Sequence, residues 1–248
     1  VASLHNPSLQ LNSPVYNLPS TLVLTVVILM VFFASQLMGV VLFAPWILPN
    51  AASLDLATTI TMGSENGTVM SLALGFTLLM VVGCVGVFIQ KKSSNIKDYL
   101  AIRWFSRQHL LIGVMWLLIL NVLINAVTVW LDREPMLFMD GLAQSAQPLW
   151  LLVIAMVIFA PVYEEVMFRG FLWTGLASSR LGVWGASLIS SLVFALIHLQ
   201  YGVVEWVGVF CLAVVFSYAR LLSGSLLLPM LLHMLNNGLA MWQYLGNS

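Results

Sequence analysis

The sequence predicts an all-α fold, a polytopic transmembrane helical bundle of about seven spans. Three observations predict it. Of 248 residues, 61% are hydrophobic and only 7% are charged, whereas a soluble domain carries roughly a quarter charged residues. The apolar residues are gathered into long runs, and a helix of about 20 such residues crosses the hydrocarbon core of a bilayer. Allowing for loops, a chain of 248 residues holds roughly six to eight such crossings. Backbone polar groups in lipid must be satisfied within the segment, which makes helices the natural spanning element.

Seven apolar segments are legible, over residues 22–48, 68–90, 110–130, 149–173, 187–199, 206–222 and 226–245. They divide the chain into an N-terminal tail (1–21), three N-terminal helices with an amphipathic connecting segment (22–148), and a four-helix core (149–248). The tail has no Lys or Arg ahead of an apolar run, which is unlike a secretory signal peptide. Cys84 and Cys211 lie in separate apolar runs with no Cys-x-x-Cys partner, so packing is expected of them rather than a disulfide. The net charge is zero, and nothing in the composition suggests nucleic acid.

Orientation follows from the basic residues, which favour the cytoplasmic side. Lys91, Lys92, Lys97, Arg103 and Arg107 fall between spans two and three, Arg180 follows span four and Arg220 ends span six. Alternating spans place all seven on one side. Arg133 falls on the other, together with Asp55, Glu65, Asp132, Glu134, Asp140 and Glu205. The expectation is a multi-pass protein of the plasma (inner) membrane with a cytoplasmic N-terminus. Residues 94–107 carry Ile96, Tyr99, Leu100 and Trp104 at helical spacing, with charges elsewhere on the helix. That pattern predicts a helix lying in the cytoplasmic interface; a plain basic loop is the alternative.

Ionisable side chains inside a bilayer are costly and each needs an explanation. The first three spans hold none apart from His109 at an edge, whereas Glu164, Glu165, Arg169, His198 and His233 all fall in the later spans. Glu164 and Glu165 are adjacent, so on a regular helix they point about 100° apart and are expected to do different work. Glu165 and Arg169 are spaced i, i+4 and form a pair on one face. Glu164 lacks a local partner. Pro161, three residues before it, removes a backbone donor and predicts a kink. His198 follows Phe194 at i+4, and His233 precedes Asn237 at i+4. Three helices thus present Glu, His, His and Asn, the residue types that serve as general base, base-orienter and oxyanion donors. Counting the 1.5 Å helical rise, Glu164 lies about 22 Å along span four, toward the cytoplasmic third.

The segment Glu164-Glu165-Val-Met-Phe-Arg169-Gly170, Phe194-x-x-x-His198 and His233-x-x-x-Asn237 together resemble the motif set of the CAAX protease and bacteriocin-processing (CPBP, or Abi) family, which includes type II CAAX prenyl endopeptidase. The resemblance covers roughly residues 149–245. It implies a bacterial-type membrane-embedded endopeptidase that cuts a membrane-associated or lipidated protein or peptide. By analogy Glu164 and His198 would activate a water, His233 and Asn237 would stabilise the oxyanion, and Glu165 and Arg169 would support the site. That scheme needs no cofactor. A metalloendopeptidase-like alternative makes Glu164, His198 and His233 zinc ligands, a legitimate donor set for a catalytic zinc. The implied partners are membrane lipid and a peptide or protein substrate, with the site toward the cytoplasmic half. Two further classes remain open. One is a non-catalytic membrane partner, such as a bacteriocin immunity protein or sensor regulator that keeps the fold. The other is a small transporter using the polar cluster as a proton relay. A relay favours broken helices in both halves, and the first half is nearly free of polar groups inside the membrane.

Overall fold

A computed structural model describes residues 15–49, 53–92, 94–133, 138–198 and 202–247. The described residues form helices and no strands. In chain order these are α1 (Leu18–Ile47), α2 (Leu56–Glu65), α3 (Gly67–Lys91), α4 (Ile96–Tyr99), α5 (Arg107–Trp130) and α6 (Phe138–Ser145). Then come α7 (Leu149–Ala177), α8 (Gly182–Leu196), α9 (Val203–Ser223) and α10 (Leu227–Asn247). Among the described residues, α1, α3, α5, α7 and α9 are long and apolar enough to cross a membrane. Helix α8 is apolar but has 15 residues. Helix α10 has 21 and carries the polar run His233, Asn236, Asn237. The helical membrane bundle read from composition is the observed architecture, with each expected span matched by one of these seven helices. Most of the N-terminal tail, Glu134 and residue 199 of the fifth expected span lie outside the described residues.

Local chemistry sets where the helices start. Asn17 Oδ1 accepts from the Ser20 N–H at 3.0 Å, Asp55 Oδ1 from Thr58 N–H at 2.7 Å, and Ser106 Oγ from His109 N–H at 3.1 Å. Each satisfies an amide that a helix N-terminus leaves without a partner. Helix α9 ends at Gly224, whose φ of 64° is left-handed and suits glycine.

Two expectations about connections are corrected. Residues 94–107 do not form an amphipathic interface helix. Only the single turn of α4 is helical, and Tyr99, Leu100 and Ala101 turn inward to bury themselves. Ala101 takes a φ of 53°, which breaks the helix, and Arg103 donates to Gly224 O at 2.7 Å. Tyr99 and Leu100 thus bury against the bundle, whereas Trp104 stays exposed. Arg220, counted above among the cytoplasmic-side charges at the end of span six, does lie in the last turn of α9 but is 3% exposed. Its guanidinium sits 4.7 Å from the Trp173 ring centre, and Nε donates to Arg169 O at 3.3 Å. The expectation of packed, unpaired cysteines agrees with Cys84 and Cys211, which are half-buried free thiols.

Helix α7 is the axis around which the rest assembles. Residues 166–173 of α7 are all buried, unlike the lipid-facing sides of α1 and α5, which expose Val23, Phe33, Leu111 and Val122. Helix α1 packs along α3 through a close approach at Gly39, where a Cβ would stand 2.8 Å from Ala73 Cα. Small residues at such crossings let membrane helices gain packing contacts where no hydrophobic drive exists.

Candidate active site

The turn carrying Glu164 and Glu165 is bracketed by two stretches of wider helix. Ala155–Phe159 and Val166–Leu172 run in the π register, with α-helix over Ala160–Glu165 between them. Such stretches leave carbonyls with displaced partners, and side chains from three other helices meet them. In the first, Ala160 N–H bonds to Ala155 O. The next donor in that register is residue 161, a proline without an N–H. Met156 O is instead met by Asn237 Nδ2 of α10 at 3.0 Å. In the second, Ser190 Oγ of α8 donates to Phe168 O at 3.0 Å, and Arg220 Nε of α9 to Arg169 O. The kink signal of Pro161 thus takes the form of a π stretch pinned from outside.

Glu165 and Arg169 are each 0% exposed. Arg169 Nη1 donates to Glu165 Oε1 at 2.9 Å and Nη2 donates to Ala213 O at 2.9 Å. The guanidinium lies 4.6 Å from the Phe194 ring centre and 5.5 Å from that of Phe216, a geometry in which aromatic faces stabilise a cation. The pairing follows the i, i+4 spacing.

Both carboxylates also reach one imidazole. His233 Nδ1 lies 2.9 Å from Glu165 Oε1, and His233 Nε2 lies 3.6 Å from Glu164 Oε2. Glu165 already accepts from Arg169 and is held as a carboxylate, so Nδ1 carries a proton and donates it. Nε2 therefore faces Glu164, and one proton suffices to bridge the two. The ring stacks on Phe216 at 4.7 Å and meets Phe194 edge-on at 5.8 Å. The sequence set the adjacent glutamates to separate work because they diverge on a helix. They do diverge, and the two nitrogens of His233 span the gap.

His198 lies just past the end of α8 at Leu196, whereas the expected span 187–199 placed it within the helix. Its N–H bonds to Ala195 O at 3.0 Å, and its Nδ1 lies 2.8 Å from Phe194 O. The carbonyl can only accept, so Nδ1 carries a proton, and in the neutral form of the ring the lone pair is then on Nε2. The imidazole thereby closes the last turn of its own helix. Its ring centre is 4.7 Å from that of Phe194, so Phe194 lies against both imidazoles, and His198 interacts electrostatically with Glu164. Asn237 is one helical turn beyond His233 and commits one Nδ2 proton to Met156 O; the second proton is left for another acceptor.

Glu164 is 8% exposed and His233 5%, so the cluster is nearly enclosed. It lies near the middle of α7, roughly 20 Å from either end of the Leu149–Ala177 helix by its rise. The shorter span read from sequence put it nearer one surface. Zinc would need three donors turned toward one point. No group of three His, Cys, Asp or Glu among the described residues is set to hold a metal ion. Sequence reasoning missed Ser190 and Arg220, which carry no motif. It also missed Asn121 and Asn236, whose signal was available: an amide in an apolar helix needs a partner.

Comparison with known proteins finds similarity over the stretch that holds this cluster. Residues 146–239 match the family model described as type II CAAX prenyl endopeptidase Rce1-like, a range that holds Glu164, Glu165, Arg169, His198, His233 and Asn237. An uncharacterised 24.3 kDa protein of Escherichia coli is 32% identical over 126 residues, which is 50% of this chain and 58% of that protein. The UPF0177 protein YbdI of Lactococcus lactis is 37% identical over 59 residues, 24% of this chain and 30% of its own length. The chain thus spans little more than half of one curated relative and less than a third of the other. No solved structure matches it significantly. Residues 146–239 of this multi-pass membrane chain are thus similar to the type II CAAX prenyl endopeptidase Rce1-like family.

Proposed function

We propose that the protein is an intramembrane endopeptidase that hydrolyses a peptide bond of a membrane-associated or lipidated protein or peptide. The observation that carries this reading is the polar cluster enclosed at the centre of α7, with His233 between Glu164 and Glu165. Here Arg169 already serves Glu165, and Glu164 is held with an imidazole in addition, an arrangement suited to moving a proton.

In this reading Glu164, assisted by the Nε2 lone pair of His198, takes a proton from a water as its oxygen adds to the scissile carbonyl. His233 Nε2–H and the second Nδ2 proton of Asn237 donate to the oxyanion. The proton taken from water then passes to the departing amine as the C–N bond breaks. With Nδ1–H given to Glu165, which Arg169 fixes, His233 donates from Nε2 as the doubly protonated imidazolium. No cofactor enters these steps. The site faces the cytoplasmic half of the plasma membrane, the side favoured by the basic residues.

The test uses purified protein in phospholipid vesicles with a farnesylated, fluorescence-quenched peptide ending in a CAAX sequence. A comparison of membrane peptides from cells carrying wild type or Glu164→Gln extends it to other substrates. Cleavage lost in Glu164→Gln, with uncleaved peptides accumulating, supports the reading. Identical peptide profiles, with no turnover by either protein, overturn it. That result favours a non-catalytic membrane partner, the reading to which the near-complete burial of Glu164 and His233 would then belong.

A further inference from the structure

Three asparagine amides form a one-way hydrogen-bond relay from α5 into the site. Asn121 Nδ2 donates to Leu117 O at 2.9 Å and to Asn236 Oδ1 at 3.1 Å. Asn236 Nδ2 donates to Asn237 Oδ1 at 3.4 Å, and Asn237 Nδ2 donates to Met156 O at 3.0 Å. Asn121 stands outside the residues that match the family model, on a helix that otherwise exposes Leu118, Ile119, Val122 and Leu123.

The direction of the relay is fixed chemically. Leu117 O only accepts, so the Asn121 nitrogen must face it. The second proton on that nitrogen requires the oxygen of Asn236 to face Asn121. The nitrogen of Asn236 is then turned to Asn237, which must answer with its oxygen. The Asn237 nitrogen is left facing the other way, onto the Met156 carbonyl that Pro161 deprives of its backbone donor. Both ends of the relay demand the same orientation at every link. Each of these bonds is part-buried, so a reversed amide would leave partly desolvated polar atoms without partners.

We propose that Asn121 is a positioning residue for the site: through Asn236 it sets which way the Asn237 amide faces. The donor face of Asn237 is thereby kept beside the π stretch that precedes Glu164. The kinetic part of this inference rests on the peptidase reading; the orientation itself does not.

The experiment uses full-length protein labelled with ¹⁵N-asparagine, in detergent micelles. The Asn237 side-chain resonance is assigned by its loss in Asn237→Ala. Asn121→Leu should move that resonance. The double variant Asn121→Leu/Asn236→Leu removes both partners together, which leaves no unpaired amide between them. It should melt close to wild type, yet still show the displaced Asn237 resonance. Its kcat should fall about tenfold or more, toward the roughly 10²-fold that a small misplacement costs, with KM unchanged. A purely packing role would restore kcat along with stability. An Asn237 resonance at its wild-type position in Asn121→Leu overturns the proposal whether or not the protein is active. A wild-type kcat in an active double variant overturns it too. An inactive wild type with a displaced resonance refutes the peptidase reading and leaves the relay standing.

Discussion

Arg169→Ala is the sharpest test of how the site is built. The substitution removes the 2.9 Å bond to Glu165, the 2.9 Å bond to Ala213 O and the contacts with Phe194 and Phe216. Glu165 remains, 0% exposed, with His233 as its surviving hydrogen-bond partner among the described residues. Breaking a buried pair from one side typically costs about 3–5 kcal/mol, because a charge is left uncompensated. For a chain of this size each kcal/mol moves the melting midpoint by roughly 2–4 °C. Arg169→Ala should therefore melt on the order of 10 °C below wild type in detergent, with reduced folded yield. Replacing both members with neutral groups of similar shape should recover most of that loss. The assay is a double-mutant cycle of Arg169→Met, Glu165→Gln and the double variant, read by melting midpoint. If Arg169→Ala melts with wild type, or the double variant loses the sum of the single losses, the pair is not what holds these helices together.

Glu164→Gln keeps the shape of its side chain and removes the base, so it should abolish peptide cleavage while changing the melting midpoint little. Cleavage by wild type should survive exhaustive chelation; stoichiometric zinc on the purified protein with chelator-sensitive turnover would refute the water mechanism proposed here. Asn237→Ala should lower kcat by about 10²–10³, the usual worth of one oxyanion donor, and should lower stability as well, since Met156 O loses its donor. At the N-terminus of α2 the Thr58 N–H and hydroxyl hold the Asp55 carboxyl below its ordinary range. A lowered folded-state value means the contribution is present above the unfolded value and is lost as pH falls through the folded one. The melting difference between wild type and Asp55→Ala should accordingly be present at pH 7 and shrink as the pH falls below the ordinary carboxylate range; a difference independent of pH would refute it.

The spanning helices were legible because a bilayer leaves so little choice: an apolar run of about 20 residues has one satisfactory backbone. Helices α2 and α6 were not, since each is short and polar, and their form depends on contacts such as Ser145 Oγ accepting from the Gly67 N–H at 2.9 Å. The membership of the site was legible too, because buried charge needs a reason, and Glu164, Glu165, Arg169 and His233 meet in one cluster. The connectivity inside the cluster was not. That His233 touches both glutamates depends on the rotation of α10 against α7, which no local pattern encodes. Pro161 announced a disturbance but not its kind, because a π stretch needs Asn237, far along the chain, to take up the freed carbonyl.

The two wide stretches of α7 have a consequence for how the chain tolerates change. Each behaves as one extra residue wound into the helix. Deleting a single residue within Ala155–Phe159 would let the helix relax to its ordinary winding, with better backbone geometry than before. Because the deletion removes the extra residue itself, the turns on either side keep their phase. Glu164 would then stay beside His233 while the wide turn that precedes it is lost. A scan of one-residue deletions and insertions along α7 should therefore separate two kinds of position. A deletion inside either wide stretch is absorbed as that stretch unwinds, whereas the same edit in the regular turns of Ala160–Glu165 between them rotates the side chains on its two sides by about 100° relative to each other. For this helix, spacing is as much a functional property as composition.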